Sequence, residues 1–288
     1  MIWPMSLPGV SVVLPLFGDH RAAQALPAVC RAWLAQEPPC EVVVAVAAGT
    51  TVPVLGDGTA DGRVRVVPAA AGPAAPGPLR NLAVAAARAP VLYLGDADIV
   101  PLGRDFLGRL LALREDRVVI QPWMYRLVNP REAPDGSLSP PPGRARTCHV
   151  SVAADGRLTP VDGERFTWLG PDLMVVEPPS GVGWRNTDGT TWRPFPFHWG
   201  GILVDRTAFD AVGGYCARYV EWGCEDDDLI AKLEGRFPVV RAWRVFRGLA
   251  CLHFEHPPSH TSASAPTNRA ILAERLAAGV DAMIDEDL

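Results

Sequence analysis

The chain is 288 residues long, 48% of it apolar, with a net charge of −5 and a single lysine, Lys232. That length and composition fit one large α/β domain or two small ones around a substantial core, and exclude a disordered chain. The negative balance excludes a general pull toward nucleic acid or an anionic membrane, and no apolar run is long enough for stable membrane insertion.

Abundant Arg, Ala, Pro and Gly are the mark of GC-rich coding and point to a bacterial source. The cysteines at 30, 40, 148, 216, 224 and 251 form no C-x-x-C pair. They read as reduced, mostly buried thiols of a cytoplasmic protein. The first residues, "MIWPMSLPGVSVVLPLF", have neither a basic leader nor a cleavage site.

In chain order, "GVSVVLPLF" (9–17) is β-branched and predicts a buried first strand, followed by helical spacing of Leu26, Val29, Cys30, Trp33 and Leu34 with Pro27 inside it. "EVVVAVAA" (41–48) and "RVRVVP" (63–68) predict the second and third strands. "LRNLAVAAARA" (79–89) predicts a helix, "PVLYLGDAD" (90–98) a fourth strand ending in acids, "DFLGRLLALRE" (105–115) a helix and "RVVIQPWMYR" (117–126) a further strand. Strand and helix alternate, which predicts a mostly parallel sheet covered on both faces.

From 127 to 197 the texture changes to Pro, Gly and polar residues, with Trp168, Trp184 and Trp192 among them. A stretch this long without elements of its own is either functional or disordered, and the tryptophans suit a ligand-stacking surface as well as loops pinned to the core. Order returns at "HWGGILVDRTAFDAVGGY" (198–215), and a last helix is predicted at "NRAILAERLAAGVDAMI" (268–284).

Two acidic motifs stand out. "VEWGCEDDDLIAKL" (220–233) places Glu225, Asp226, Asp227 and Asp228 in a row before an apolar helical pattern. The positive end of a helix dipole accounts for one or two such acids, but four in a row repel each other. On this stretch alone, helix capping and a functional site both stand. "YLGDADIVP" places Asp96 and Asp98 at the carboxyl end of a strand, where open α/β sheets bind ligands. Alternating carboxylates there make a hard-oxygen site suited to Mg²⁺ or Mn²⁺ on a diphosphate, although two solvated turn aspartates would look the same.

Taken in order, "SVVLPLFGDH", "LRNLAVAAARAPVLYLGDADIVP" and "HWGGILVDRTAFDAVGGY…VEWGCEDDDLIAKL" resemble a glycosyltransferase of the GT-A fold. The likeness is family 2-like, with a galactosyltransferase-type C-terminal segment whose W-G-x-E-D-x-D follows a G-G-x₇-F motif (here Gly200-Gly201 to Phe209). The resemblance implies a GT-A (Rossmann-like) α/β fold with a mostly parallel central sheet flanked by helices and a long loop-rich acceptor region. It implies one compact domain in three parts: a nucleotide-sugar-binding half (1–126), the acceptor region (127–197) and a catalytic C-terminal segment (198–288).

The implied activity is metal-dependent transfer of a hexosyl or N-acetylhexosaminyl group from a UDP-sugar, with inversion, to a small-molecule, peptide or glycan acceptor. By the same resemblance Asp98, Asp96 and His253 hold Mn²⁺ or Mg²⁺. Pro15, Phe17, Arg80, Asp96, Gly201 and Trp222 bind the donor, Trp222 from a mobile loop that closes over it. Glu225 contacts the acceptor, and Asp226 is the base. The chain departs from the family where Ala47 and Ala48 stand in place of two aspartates, one of which meets uracil, and where Ala250 stands in place of a methionine ligand.

Glycosyl transfer gives the acidic row a purpose, since an attacking hydroxyl needs a carboxylate to take its proton. A nucleotidyltransferase or diphosphate hydrolase would also use the D-x-D acids but has no need of W-G-x-E-D-D-D. A non-catalytic sugar-nucleotide or glycan-binding protein has no need of Asp96, Asp98, Asp226 and His253 together.

Overall fold

The computed structural model describes residues 9–18, 22–55, 59, 61–70, 75–101, 103–115, 117–120, 122–127, 131–132, 138–139, 150–152, 158–160, 173–176, 201–242, 249–254 and 264–288. Its strands are β1 (Val10–Leu16), β2 (Cys40–Val46), β3 (Val64–Pro68), β4 (Val91–Leu94), β5 (Ile99–Pro101), β6 (Val118–Ile120) and β7 (Trp123–Leu127). There follow β8 (Arg131–Glu132), β9 (Leu138–Ser139), β10 (Val150–Val152), β11 (Leu158–Pro160), β12 (Leu173–Val176), β13 (Ile202–Asp205), β14 (Val239–Arg241) and β15 (Ala250–Phe254). The helices are α1 (Ala22–Leu34), α2 (Pro76–Ala86), α3 (Phe106–Arg114), α4 (Arg206–Ala211), α5 (Glu225–Arg236), α6 (Ala265–Ala278) and α7 (Val280–Asp287).

Apolar runs such as those of β1 and β2 need cover on both faces, and the fold supplies it. A seven-stranded sheet runs in the order β14-β6-β13-β4-β1-β2-β3. It is parallel except for β13, which lies antiparallel to both β4 and β6. Alternate residues of each strand serve opposite layers. Val12, Leu14, Val42 and Val44 pack with Trp33 of α1 and Phe106 of α3. Val13, Val43, Leu92 and Leu94 pack on the other side with Leu79 of α2, Leu229 of α5 and Ile284 of α7. A second sheet, β12-β7-β15-β5, joins the segment after Asp98 to the strand that carries His253.

Three elements differ from expectation. The strand expected over 117–126 is two strands in different sheets, β6 and β7, broken next to Pro122, which has no N–H to donate to a ladder. The helix expected over 268–284 is α6 and α7, broken at Gly279, whose φ of 93° no helix can contain. Among the described residues, the 127–197 region holds five short strands: β8 to β11 form an antiparallel sheet, and β12 pairs with β7. Strands of two to four residues are too short for a period of two to show in sequence. Trp168, Trp184 and Trp192 lie outside the described residues. No helix among the described residues is long and apolar enough to cross a membrane. Cys30, Cys40, Cys216 and Cys251 are buried.

The acidic row at the start of α5 does more than satisfy a helix end. Asp228 is wholly buried. It accepts hydrogen bonds from Arg275 Nε of α6 at 2.6 Å and from the Tyr219 hydroxyl at 2.9 Å, with Lys232 Nζ 3.6 Å away. Lys232, also buried, donates to Gly214 O at 2.6 Å and pairs with Asp287 of α7, and Arg275 pairs with Asp287 and Glu286. The lone lysine and a buried arginine thus tie α5, α6 and α7 into one unit.

Removing one member of a buried ion network leaves charge uncompensated and costs about 3–5 kcal/mol. Asp228→Asn should therefore lower the urea midpoint by a corresponding amount. Asp227→Asn, at an exposed position, should shift stability by no more than about 0.5 kcal/mol. Equal midpoints for the two variants would show that the buried network does not hold the helices together.

Candidate active site

At the carboxyl end of β4 the chain leaves the sheet through Gly95 and Asp96, beside the end of β1, where Gly95 N–H donates to Val13 O at 3.0 Å. Asp98 follows and is buried. Across the β5–β15 ladder His253 pairs in register with Ile99, so its backbone lies one residue along from Asp98. The His253 side chain lies outside the described residues, among which no group of three His, Cys, Asp or Glu side chains that could hold a metal ion is assembled.

The centre of the site is Arg80. It sits in α2, 2% exposed, and reaches out of the helix toward the sheet edge. Its Nη2 pairs with Asp96 Oδ1, and its Nε donates to Gly95 O at 3.4 Å. Its Nη1 lies 3.6 Å from Glu225 Oε1 and 3.5 Å from Asp226 Oδ1. The guanidinium carbon stands 5.3 Å from the centroid of the Tyr215 ring, a cation–π distance. One cation therefore joins the first acidic motif to the second. The sequence reading placed all four residues in the site without supplying this link.

Local sequence explains why these elements meet. A Cβ on Gly77, in the first turn of α2, would stand 3.3 Å from Tyr215 Cβ and 3.6 Å from Glu225 Cβ, so glycine permits the close approach of α2 to α5. Asn81 grips the Tyr215 backbone from both sides, donating to its carbonyl at 2.8 Å and accepting from its N–H at 2.9 Å. The Tyr215 hydroxyl donates to Asp226 Oδ1 at 3.0 Å, and Gly223 N–H donates to Glu225 Oε2 at 2.8 Å. Tyr215 and Asn81 went unassigned in the sequence. The available signal was polarity in the wrong place, an asparagine well inside a helix whose apolar face is otherwise well kept.

The two acids differ in exposure. Glu225 is 2% exposed, whereas the Asp226 side chain is 16% exposed. Burial and then the neighbouring Asp226 charge push Glu225 up to about 7, against the opposing pull of Arg80. Burial, which alone would lower the Arg80 pKa, is outweighed by Asp226, Tyr215, Asp96 and Glu225, which raise it further. The Tyr215 hydroxyl is raised well above its ordinary value, mainly by burial, so it remains a donor.

The remaining expected donor residues fall near this edge. Pro15 lies near the end of β1, in register with Ala45, and Phe17 follows the strand, half-buried against the α2 side of the core. Gly201 precedes β13 with Pro122 Cδ and the Tyr93 hydroxyl 3.0 and 3.3 Å from where a Cβ would stand, so a side chain there would press on both. Trp222 is 49% exposed, on the turn leading into α5.

Residues 193–242, the stretch containing β13, α4, Tyr215 and α5, match the family described as the N-terminal domain of galactosyltransferase. Among solved structures, GalNAc-T7 with UDP, GalNAc and Mn²⁺ superimposes with a TM-score of 0.51 at 14% identity, over 94% of this chain and 48% of that one. TarS of S. aureus superimposes with the same TM-score of 0.51 and identity of 14%, over 93% of this chain and 38% of that one. The fold is GT-A, with a galactosyltransferase-type segment built into it. This chain spans less than half the length of those two proteins. No curated protein matches by sequence.

The raised Glu225 pKa carries a sign for stability. The folded state holds this proton more tightly than the unfolded state, so Glu225 favours folding fully below about 4.5, and that contribution is lost as pH rises through about 7. Glu225→Gln, which mimics the protonated side chain, should flatten the fall of the melting temperature between pH 5 and 8. A fall as steep in the variant as in the wild type would place the responsible group elsewhere.

Proposed function

We propose that the protein is a metal-dependent glycosyltransferase. It moves a sugar from a nucleotide donor, a UDP-sugar, to an acceptor hydroxyl or other nucleophile, with inversion at the anomeric carbon. The observation that supports this most is the joining of Asp96 to Glu225 and Asp226 through Arg80. It unites a strand-end acid suited to a diphosphate site with an acid suited to deprotonating an acceptor.

A divalent ion fits the residues present. Asp96 and Asp98 are hard oxygen donors from one turn, and the strand register brings the backbone of His253 beside them, a donor set suited to Mn²⁺ or Mg²⁺. Asp98, Asp96 and His253 would hold it. Bound there, it would supply positive charge to the departing diphosphate.

The chain's own residues do the rest. Asp226 accepts one hydrogen bond through Oδ1 from Tyr215, which orients the carboxylate so that Oδ2 can take the acceptor proton. As the acceptor O–H bond breaks, its electron pair forms the new bond to the anomeric carbon. The bond from that carbon to the diphosphate oxygen breaks, and the pair leaves with the nucleotide. Glu225, held by Gly223 N–H, stands beside the base and fixes where the helix begins. Pro15 and Phe17 bound the nucleotide from β1, Trp222 covers the donor, and the 127–197 region selects a small-molecule, peptide or glycan acceptor.

Incubation with Mn²⁺ and a panel of nucleotide sugars should release nucleoside diphosphate, fastest with a UDP-sugar, and chelation by EDTA should abolish the release. A nucleotidyltransferase would release pyrophosphate instead, and a binding protein would release nothing. Removing a general base costs about 10²–10⁴-fold. Asp226→Asn should accordingly lower kcat by that factor while donor affinity, measured calorimetrically, stays near wild type. Normal kcat in that variant would exclude Asp226 as the base.

A further inference from the structure

The turn that carries Trp222 is held by a residue outside the acidic site. Glu221 and Cys224 are non-glycine residues at φ of 56° and 72°, and Gly223 between them is at 111°. Side-chain-bearing residues occupy that region at a cost, and they stay there only where the surroundings fix them. Asn268 of α6 does the fixing. It is wholly buried. Its Oδ1 accepts from Val220 N–H at 3.2 Å, and its Nδ2 faces the carbonyls of Val220 at 2.9 Å, Gly223 at 3.0 Å and Trp222 at 3.2 Å. From the other side Glu225 accepts the Gly223 N–H. A single side chain thus engages the backbone of three of the four residues from Val220 to Gly223, while the Trp222 ring above them remains 49% exposed.

We propose that Asn268 is a positioning residue of the active site. It fixes the backbone from Val220 to Gly223, so that Trp222 meets the donor by rotating its side chain on a stationary turn, and Glu225 and Asp226 begin their helix at a constant place. The inference rests on reading the site as one for a nucleotide sugar. It differs from the closing loop that the family resemblance implies, because closure of the whole loop would have to break the Asn268 bonds.

Hydrogen exchange on the full chain, followed by mass spectrometry, tests this with UDP and Mn²⁺ as the probe. In the wild type the peptide covering Val220–Cys224 should exchange slowly and stay slow when the probe is added. In Asn268→Ala that peptide should exchange about tenfold faster or more, while the interior of α5 keeps its protection. Misplacing catalytic groups by about 1 Å can cost about 10²-fold, so kcat should fall tenfold to a hundredfold, with a smaller rise in donor KM. Arg218→Ala removes exposed ion pairs to Glu274 and Glu286 but none of the turn's bonds. It should leave both the turn's exchange and kcat at wild-type values.

Unchanged exchange of the turn in Asn268→Ala would overturn the proposal. So would faster exchange of the wild-type turn on adding UDP and Mn²⁺, a measurement that needs no variant to fold. If the probe alters exchange nowhere around Asp96, the donor reading fails. The positioning role is then decided by the turn's exchange in Asn268→Ala.

Discussion

A guanidinium with 2% of its surface exposed must be neutralised where it lies, and Arg80 is neutralised by three carboxylates from two parts of the chain. That requirement organises the sheet edge. Asp96 must leave β4 where Arg80 can reach it, α5 must begin beside α2, and Tyr215 must lie across the cation with its hydroxyl on Asp226. Gly77 and Asn81, about a turn before and one residue after Arg80 in α2, make this approach possible. Three acids against one cation is an imbalance, and a buried site relieves it by keeping a proton. Glu225 is raised to about 7, first by its burial and then by the Asp226 charge beside it.

The four acids of "EDDD" then cease to be a puzzle. Each step along a helix turns about 100°, so four consecutive side chains cannot all share one environment. Glu225 and Asp226 meet Arg80, Asp227 faces solvent, and Asp228 points into the interior, where Arg275, Lys232 and Tyr219 receive it. One turn of helix is therefore anchored at both its flanks by buried cations, one from α2 and the other from α6. Repulsion among the acids is offset in each direction separately.

Much of the central sheet could be read from the sequence because long β-branched runs such as those ending at Leu16 and Val46 can be satisfied only by burial on both faces. The acids at 96, 98, 225 and 226 could be read because carboxylates at strand and helix ends are chemically conspicuous. What escaped was whatever depends on a partner distant in the chain. Asp228 looks like its neighbours until α6 supplies Arg275, and Asn268 looks like an ordinary polar residue near the start of a helix until the 220–223 turn lies against it. The antiparallel direction of β13 escaped for a related reason. Its apolar run is as buried as those of its parallel neighbours, and nothing in a four-residue strand encodes direction.

On the proposed reading, the charge of the site also bears on how it can admit a donor. A nucleoside diphosphate approaching Asp96, Asp98, Glu225 and Asp226 meets like charge, and Arg80 is already shared among three of those acids. Asp96 and Asp98 would hold a divalent ion there, and its charge would offset that repulsion for a diphosphate. Arg80 touches both motifs, so whatever engages Asp96 also changes the charge that Glu225 and Asp226 feel.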